Sequence, residues 1–196
     1  MKFKIIGDVH GKLNKYKEIV DKCDNSICVG DFGFKKEWDW HVNNIKGNHW
    51  INPGNHDYMP VATKSQYPST GNFKFFNELV IFTVRGADSI DRIYRTEGID
   101  WFSDEELSYN EMQEAIDFYE KIKPKYVVTH DCPQTIMQLF FGYPDKSITR
   151  NGLQIMFEIH KPEIWFFGHH HTSVQAKIDG TNFVCLAELE TYDLIF

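Results

Sequence analysis

"KGNHWINPGNHD", Lys46 to Asp57, contains one tripeptide twice: Gly47-Asn48-His49 and Gly54-Asn55-His56. An amide oxygen and an imidazole held in a glycine turn can bind a metal ion, so the fold turns on where each copy sits. Upstream, residues 37–46 read as a helix with Trp40 and Ile45 on its inner side, and Gly47 falls where a helix-ending glycine belongs. Residues 49–52 then form a strand that closes at Pro53-Gly54. The first copy therefore lies where a helix stops and the second where a strand stops. In α/β sheets ligands gather at the carboxyl ends of strands, which places Asn55 and His56 for function and His49 for packing or surface.

The same grammar recurs on both sides of this stretch. Lys2 to Ile6 is a strand running into "GDVHG", residues 26–29 one ending in "GDFG", 126–129 one ending in "THDCP", and 164–167 one ending in "GHHH". Leu13, Tyr16, Ile19 and Val20 have helical spacing, and a further helix is expected over residues 153–159. Ser108 to Glu111 has the capping-box pattern, with Met112, Ala115, Ile116 and Tyr119 continuing at helical period up to Pro124. Residues 74–83 read as two strands around Asn77-Glu78, and Asp179-Gly180 marks a hairpin between 174–178 and 182–187. With no internal repeat, linker or low-complexity segment, residues 1–196 form one domain.

Taken by strand end, the polar residues are Asp8 and His10, then Asp31, then Asn55 and His56, then His130, then His169 and His171. Carboxylate, imidazole and amide oxygen together suit divalent metals of intermediate hardness such as Mn²⁺, Fe²⁺ or Zn²⁺, and no cysteine joins the set. Residues two apart in extended backbone point to one side, so Asp8 with His10, and His169 with His171, can each grip from one face.

The joint order of these blocks resembles the calcineurin-like metallophosphoesterase superfamily, whose pattern runs D-x-H, G-D, G-N-H-D/E, a lone H, then G-H-x-H. The resemblance spans Asp8 to His171. It implies a four-layer αββα sandwich, α/β in class, of two mixed sheets flanked by helices, with the metal site at the strand ends. It also implies one metal on Asp8, His10, Asp31 and His171, and a second on Asp31, Asn55, His130 and His169, with Asp31 shared. His56 is then the catalytic histidine, His170 points away, and His41, His49 and His160 have no role. The expected cofactors are two divalent ions, Mn²⁺ first, with Fe²⁺/Fe³⁺, Zn²⁺ or Ni²⁺ as alternatives. Such ions would activate a water for attack on phosphorus, and a protonated His56 would serve the leaving oxygen.

Two departures from the family matter. The protein-phosphatase branch carries "GDxxDRG", whereas this chain has "GDFGFKK", with Phe34 at the Asp position and Lys35 at the Arg position. Two readings stand for Asp57: it orients His56 in place of the missing Asp, or it caps its own turn. The block "RGADSIDRIYRTEGIDWFSDEELS", Arg85 to Ser108, is similar to a segment of small bacterial and phage-type members. Within it Arg92 or Arg95 would contact substrate phosphate, or else pair with Asp88, Asp91 or Glu97; Arg150 has a similar claim. Cys132 reads as a small buried residue.

Bulk properties narrow the classes further. A net charge of −7 disfavours a broad basic surface for long nucleic acid. No apolar run approaches the ~20 residues needed to cross a bilayer, and the four cysteines form no Cys-x-x-Cys pair. The expectation is a cytoplasmic phosphoesterase acting on a small phosphorylated substrate, a phosphomonoester or small phosphodiester such as a nucleotide, with no membrane partner. A nuclease acting on short oligonucleotides, a phosphoprotein phosphatase and a non-catalytic metal-binding module are the alternatives.

Overall fold

The computed structural model describes residues 2–64, 70–74, 79–142 and 147–196. In chain order the elements are β1 (Lys2–Ile6), α1 (Leu13–Val20), β2 (Asn25–Cys28), α2 (Lys35–Asn44), β3 (Asn48–Ile51), α3 (Met59–Ala62), β4 (Thr70–Lys74) and β5 (Val80–Val84). They continue with α4 (Tyr109–Ile122), β6 (Tyr126–Thr129), α5 (Gln134–Phe141), α6 (Ile148–Ile159), β7 (Ile164–Phe167), β8 (Val174–Ile178), β9 (Thr181–Cys185) and β10 (Thr191–Ile195). One sheet has the order β10-β1-β2-β3 and the other β4-β5-β6-β7-β9-β8. Both are mixed: β1, β2 and β3 run parallel with β10 antiparallel to β1, and β5, β6, β7 and β9 run parallel between antiparallel β4 and β8.

Alternation along the strands builds the layers. Phe3, Ile5, Ile27 and Val29 of the first sheet meet Ile81, Val128, Phe166 and Val184 of the second in an inner core. Their neighbours Ile6, Cys28 and Ile51 face outward onto Tyr16 and Val20 of α1 and Trp38 of α2. On the far side Phe82, Val127, Trp165, Phe167 and Phe183 pack against Met112, Ile116 and Tyr119 of α4 and Leu153, Met156 and Phe157 of α6. Period-two strands between helices of period 3.6 therefore give the αββα sandwich, whose central strands β2 and β6 are buried on both faces while the edge strands β8 and β10 stay partly exposed.

Local detail differs from expectation in a few places. Helix α2 starts and ends two residues earlier than residues 37–46, because Ile45 is already extended and Gly47 has a φ of 100°. Its deepest residues are Trp38 and His41, while Trp40 and Ile45 are partly buried. Helix α6 begins at Ile148, where the Ser147 hydroxyl accepts the Arg150 N–H at 3.1 Å. The capping box at Ser108 forms, with Glu111 reaching back to the Ser108 N–H at 2.8 Å. The Asn77-Glu78 turn lies outside the described residues. Among the described residues no helix is long and apolar enough to cross a membrane.

Candidate metal centre

The polar motifs follow the carboxyl ends of parallel strands in both sheets: Asp8 after β1, Asp31 after β2, Asn55 and His56 after β3, His130 after β6, and His169 after β7. Main-chain amides of one motif hold the carboxylate of another. The His56 N–H donates to Asp31 Oδ1 and the His169 N–H to Asp8 Oδ2, both at 2.8 Å. Of the seven described non-glycine residues with positive φ, four belong to this cluster: His10 (46°), Asp31 (50°), His169 (67°) and His171 (50°). That conformation is unfavourable for L-residues and persists where surrounding structure imposes it. The motif glycines have a different cause. A Cβ on Gly54 would lie 2.4 Å from Asp31 Oδ1, and one on Gly168 2.1 Å from Asp8 Oδ1, so the strand ends approach too closely for any side chain.

The donor atoms fall into two groups that share Asp31. In the first, His10 Nε2 and His171 Nε2 are 2.8 Å apart, with Asp31 Oδ2 3.7 Å from His10 and Asp8 Oδ2 3.7 Å from His171. In the second, Asp31 Oδ1, Asn55 Oδ1 and His169 Nδ1 each lie 3.2 Å from His130 Nε2. Neighbouring ligands of one ion bound at ~2.1 Å would be about 3 Å apart, so both groups fit a divalent cation.

The electrostatics lead to the same fit. Burial pushes the Asp8 carboxyl up to about 8, an effect opposed by His130 and reinforced by the Asp31 charge. Burial also works against the Asp31 charge, yet the adjoining His130 imidazole holds Asp31 below the usual carboxylate range. His130 is correspondingly raised, burial being outweighed by Asp31. Burial keeps the His169 ring neutral, down to about 3. Protons on Asp8 and His130 thus balance the buried charge in this arrangement, and a metal ion held among these groups would take their place.

His56 is absent from both groups and lines a cleft of about 710 Å³ with Asn55, Ser89, Ile90, Arg95 and Met137. The group against its ring is Arg95: Nη2 lies 2.8 Å from Nε2 and Nη1 3.3 Å from Nδ1, while Asp91 Oδ2 holds the guanidinium at 2.8 Å. Burial lowers the His56 pKa; Asp31 opposes this and Arg95 adds to it.

Asp57 does not orient His56. Its Oδ1 accepts the Phe32 and Gly33 N–H groups and the Trp38 indole N–H, and its Oδ2 accepts the Gly54 N–H, all between 2.7 and 3.1 Å. It ties the turn after β2 to the turn after β3 and to α2, which is a framework role.

A family model described as calcineurin-like phosphoesterase matches residues 1–173. This chain belongs to the calcineurin-like phosphoesterase family. No curated protein matches it in sequence. Among solved structures it is similar to a phosphopantetheinyl hydrolase from Mycobacterium tuberculosis, at 14% identity and a TM-score of 0.62, covering 95% of this chain and 89% of that one. It is likewise similar to a dimetal phosphatase from Danio rerio, at 10% identity and a TM-score of 0.60, covering 96% and 88%. At these identities the likeness concerns the fold.

This calcineurin-like phosphoesterase departs from the protein-phosphatase pattern in space as in sequence. The Phe34 ring lies 6.2 Å from that of His56, and the Lys35 ammonium pairs with Asp39 on the exposed side of α2. Arg92 is exposed and pairs with Asp88 at 2.5 Å, outside the cleft. Arg150 lines the cleft but lies with its Nε 2.7 Å from Asp131 Oδ2. His170 joins neither donor group around Asp31: its Nε2 lies 3.4 Å from Asp131, and its ring stacks on Phe141 at 4.0 Å and meets the His169 ring edge-on at 4.9 Å. Asp131, Cys132 and His170 form a further group of possible donors. Arg150 already supplies its positive charge, and burial pushes the Cys132 thiol well up. His49 is hydrogen-bonded to Ser26 at 2.9 Å, and His41 packs among Tyr16 and Phe32.

Sequence reasoning missed Ser89 and Glu105. Asn55 Nδ2 donates to Ser89 Oγ at 3.0 Å, and Ser89 donates from N and Oγ to Glu105 at 2.7 and 2.8 Å. Their only signal was membership of the Arg85 to Ser108 block.

Proposed function

We propose that this chain is a dinuclear metal-dependent phosphoesterase that hydrolyses a phosphomonoester or small phosphodiester, a nucleotide among the candidates. The observation that carries the reading is Asp31, whose two carboxylate oxygens face two different sets of donors. Asp8, His10, Asp31 and His171 would hold one ion, and Asp31, Asn55, His130 and His169 the other. Bound there, two divalent ions would lower the pKa of water and neutralise phosphoryl oxygens. Mn²⁺ is the first choice for both.

The chain's own residues supply the rest. Arg95 stands at the cleft wall with a planar set of donors suited to phosphate, and Asp91 sets its direction. His56 faces the same cleft and carries the proton for the leaving oxygen. In the resting arrangement burial and Arg95 keep its ring neutral; an arriving phosphate would draw Arg95 and bring negative charge beside the imidazole, favouring protonation. Ile90 and Met137 present an apolar wall to the organic part of the substrate, and the cleft volume matches a small ligand.

The test loads the metal-free protein with Mn²⁺ and measures metal stoichiometry together with hydrolysis of p-nitrophenyl phosphate, bis-p-nitrophenyl phosphate and a labelled single strand. Two ions per chain and turnover of one or both small esters are expected, with His56→Ala keeping both ions while kcat falls about 100-fold or more. Two ions with no turnover across the panel would favour the non-catalytic module, and turnover of the strand alone the nuclease.

A further inference from the structure

Asn55 reaches the second donor group through an amide whose two ends differ: the oxygen can ligate a cation and the NH₂ cannot. The surroundings decide which end faces His130. Ser89 Oγ has one proton, and Glu105 Oε2 takes it at 2.8 Å, while Glu105 Oε1 accepts the Ser89 N–H at 2.7 Å. Toward Asn55 the hydroxyl therefore offers lone pairs, so the amide atom 3.0 Å away must be the NH₂. The oxygen is left facing His130 Nε2 at 3.2 Å. All three residues are almost fully buried, Asn55 and Glu105 at 3% exposure and Ser89 at 1%, so water does not compete for these bonds.

The start of the segment that carries Ser89 is held on two sides. The Gly86 N–H donates to the Pro53 carbonyl at 2.8 Å, and a Cβ on Gly86 would lie 2.1 Å from the Glu105 carbonyl oxygen. The loop that carries Ser89 is thus pressed against both the turn before Asn55 and the backbone of Glu105.

We infer that Ser89 and Glu105 are positioning residues: a one-way hydrogen-bond relay from Glu105 through Ser89 locks the Asn55 amide with its oxygen toward the second metal position. This rests on the metal reading above and adds to it the cause of the amide's orientation. Removing the hydroxyl frees the amide to rotate and present NH₂ to a cation, which it cannot bind.

The test is a titration of metal-free protein with Mn²⁺ by calorimetry at pH 8, above the value of about 7 to which burial lifts Glu105 against its Ser89 bonds. Ser89→Ala should weaken one of the two Mn²⁺ sites about 10- to 100-fold and leave the other unchanged within about threefold, the range seen for groups that orient a ligand. In an Asn55→Ala background the same change should add nothing, since its only route is through that amide. Glu105→Gln keeps one acceptor and should give a smaller shift of the same site; if it does not fold, Ser89→Ala decides alone. Unchanged affinities in Ser89→Ala, or a loss that persists in the Asn55→Ala background, would overturn the relay. A selective affinity shift in a protein that hydrolyses no ester would sink the hydrolase reading while upholding the relay.

Discussion

The two donor groups around Asp31 differ most in their contact with water. The imidazoles His10 and His171 of one group have side-chain exposures of 22% and 53%, whereas His130 of the other is at 0% and Asn55 is 3% exposed as a residue; Asp8 and the shared Asp31 are buried, and His169 is partly exposed. The exposed imidazoles have few protein partners beyond one another and the carboxylates. The inner group is braced by the Asn55–Ser89–Glu105 relay and by Asp57, which joins the turns bearing Asp31 and Asn55. On the metal reading proposed above, the His10–His171 side would exchange its ion more readily than the His130 side, and a single aspartate would belong to both.

The largest effect is expected where the two sides meet. Asp31→Asn removes the shared charge and should weaken both ions beyond the ~100-fold that is typical of changes one layer out, measured as metal stoichiometry after dialysis. Retention of two tightly bound ions would end the idea of a shared carboxylate.

Next comes a direct contrast between the sides. His130→Ala should empty the inner position and lower kcat/KM about 100-fold or more, while His171→Ala should weaken the outer position about 10-fold and be rescued by excess Mn²⁺. Equal losses, or rescue of both, would erase the distinction.

Asp57→Asn isolates the bracing from the ligands. An amide cannot accept four N–H bonds, and one buried donor left unsatisfied beside weakened neighbours should cost about 3 kcal/mol. For a chain of this size that lowers Tm by roughly 6–12 °C, with both ions still bound at 20 °C. A drop in kcat without a drop in Tm would restore Asp57 as the partner of His56.

The smallest effect is a background that must be separated from the site. Burial, with His49 adding, holds the His41 pKa near 4, below its unfolded value of 6.5. Between these values the unfolded chain binds more protons, so stability is full above pH 6.5 and declines toward pH 4, by at most ~1.4 kcal/mol per pH unit. His41→Leu should flatten that part of the metal-free stability curve. An unchanged slope would assign the acid sensitivity to the cluster of the metal centre.

The candidate donors were legible because their motifs follow short apolar strands, most of them through a glycine, with His130 after Thr129 the exception, and strands show themselves locally by alternation. The sandwich came from the family resemblance that the order of those blocks carries. What escaped was contact between distant segments with no period. Asp57 adjoins His56 in the chain, yet its carboxylate turns back to Phe32, Gly33 and Trp38. Arg95 meets the His56 ring across 39 positions, and Glu105 meets Ser89 across 16, both from an irregular loop. Strand β10 pairs with β1 from the opposite end of the chain, Lys2 against Ile195, a partnership that no local pattern encodes. Helix α5 went unread because Gln134–Phe141 is short and begins at Pro133 without a side-chain cap.

The left-handed backbone at His10, Asp31, His169 and His171 lies among strand ends that bind one another, the His56 N–H on Asp31 and the His169 N–H on Asp8. On the metal reading proposed above, a cage braced by such contacts would receive its cations as guests, the reverse of a zinc finger, whose chain is disordered until metal arrives. Chelation should therefore silence this molecule without melting it.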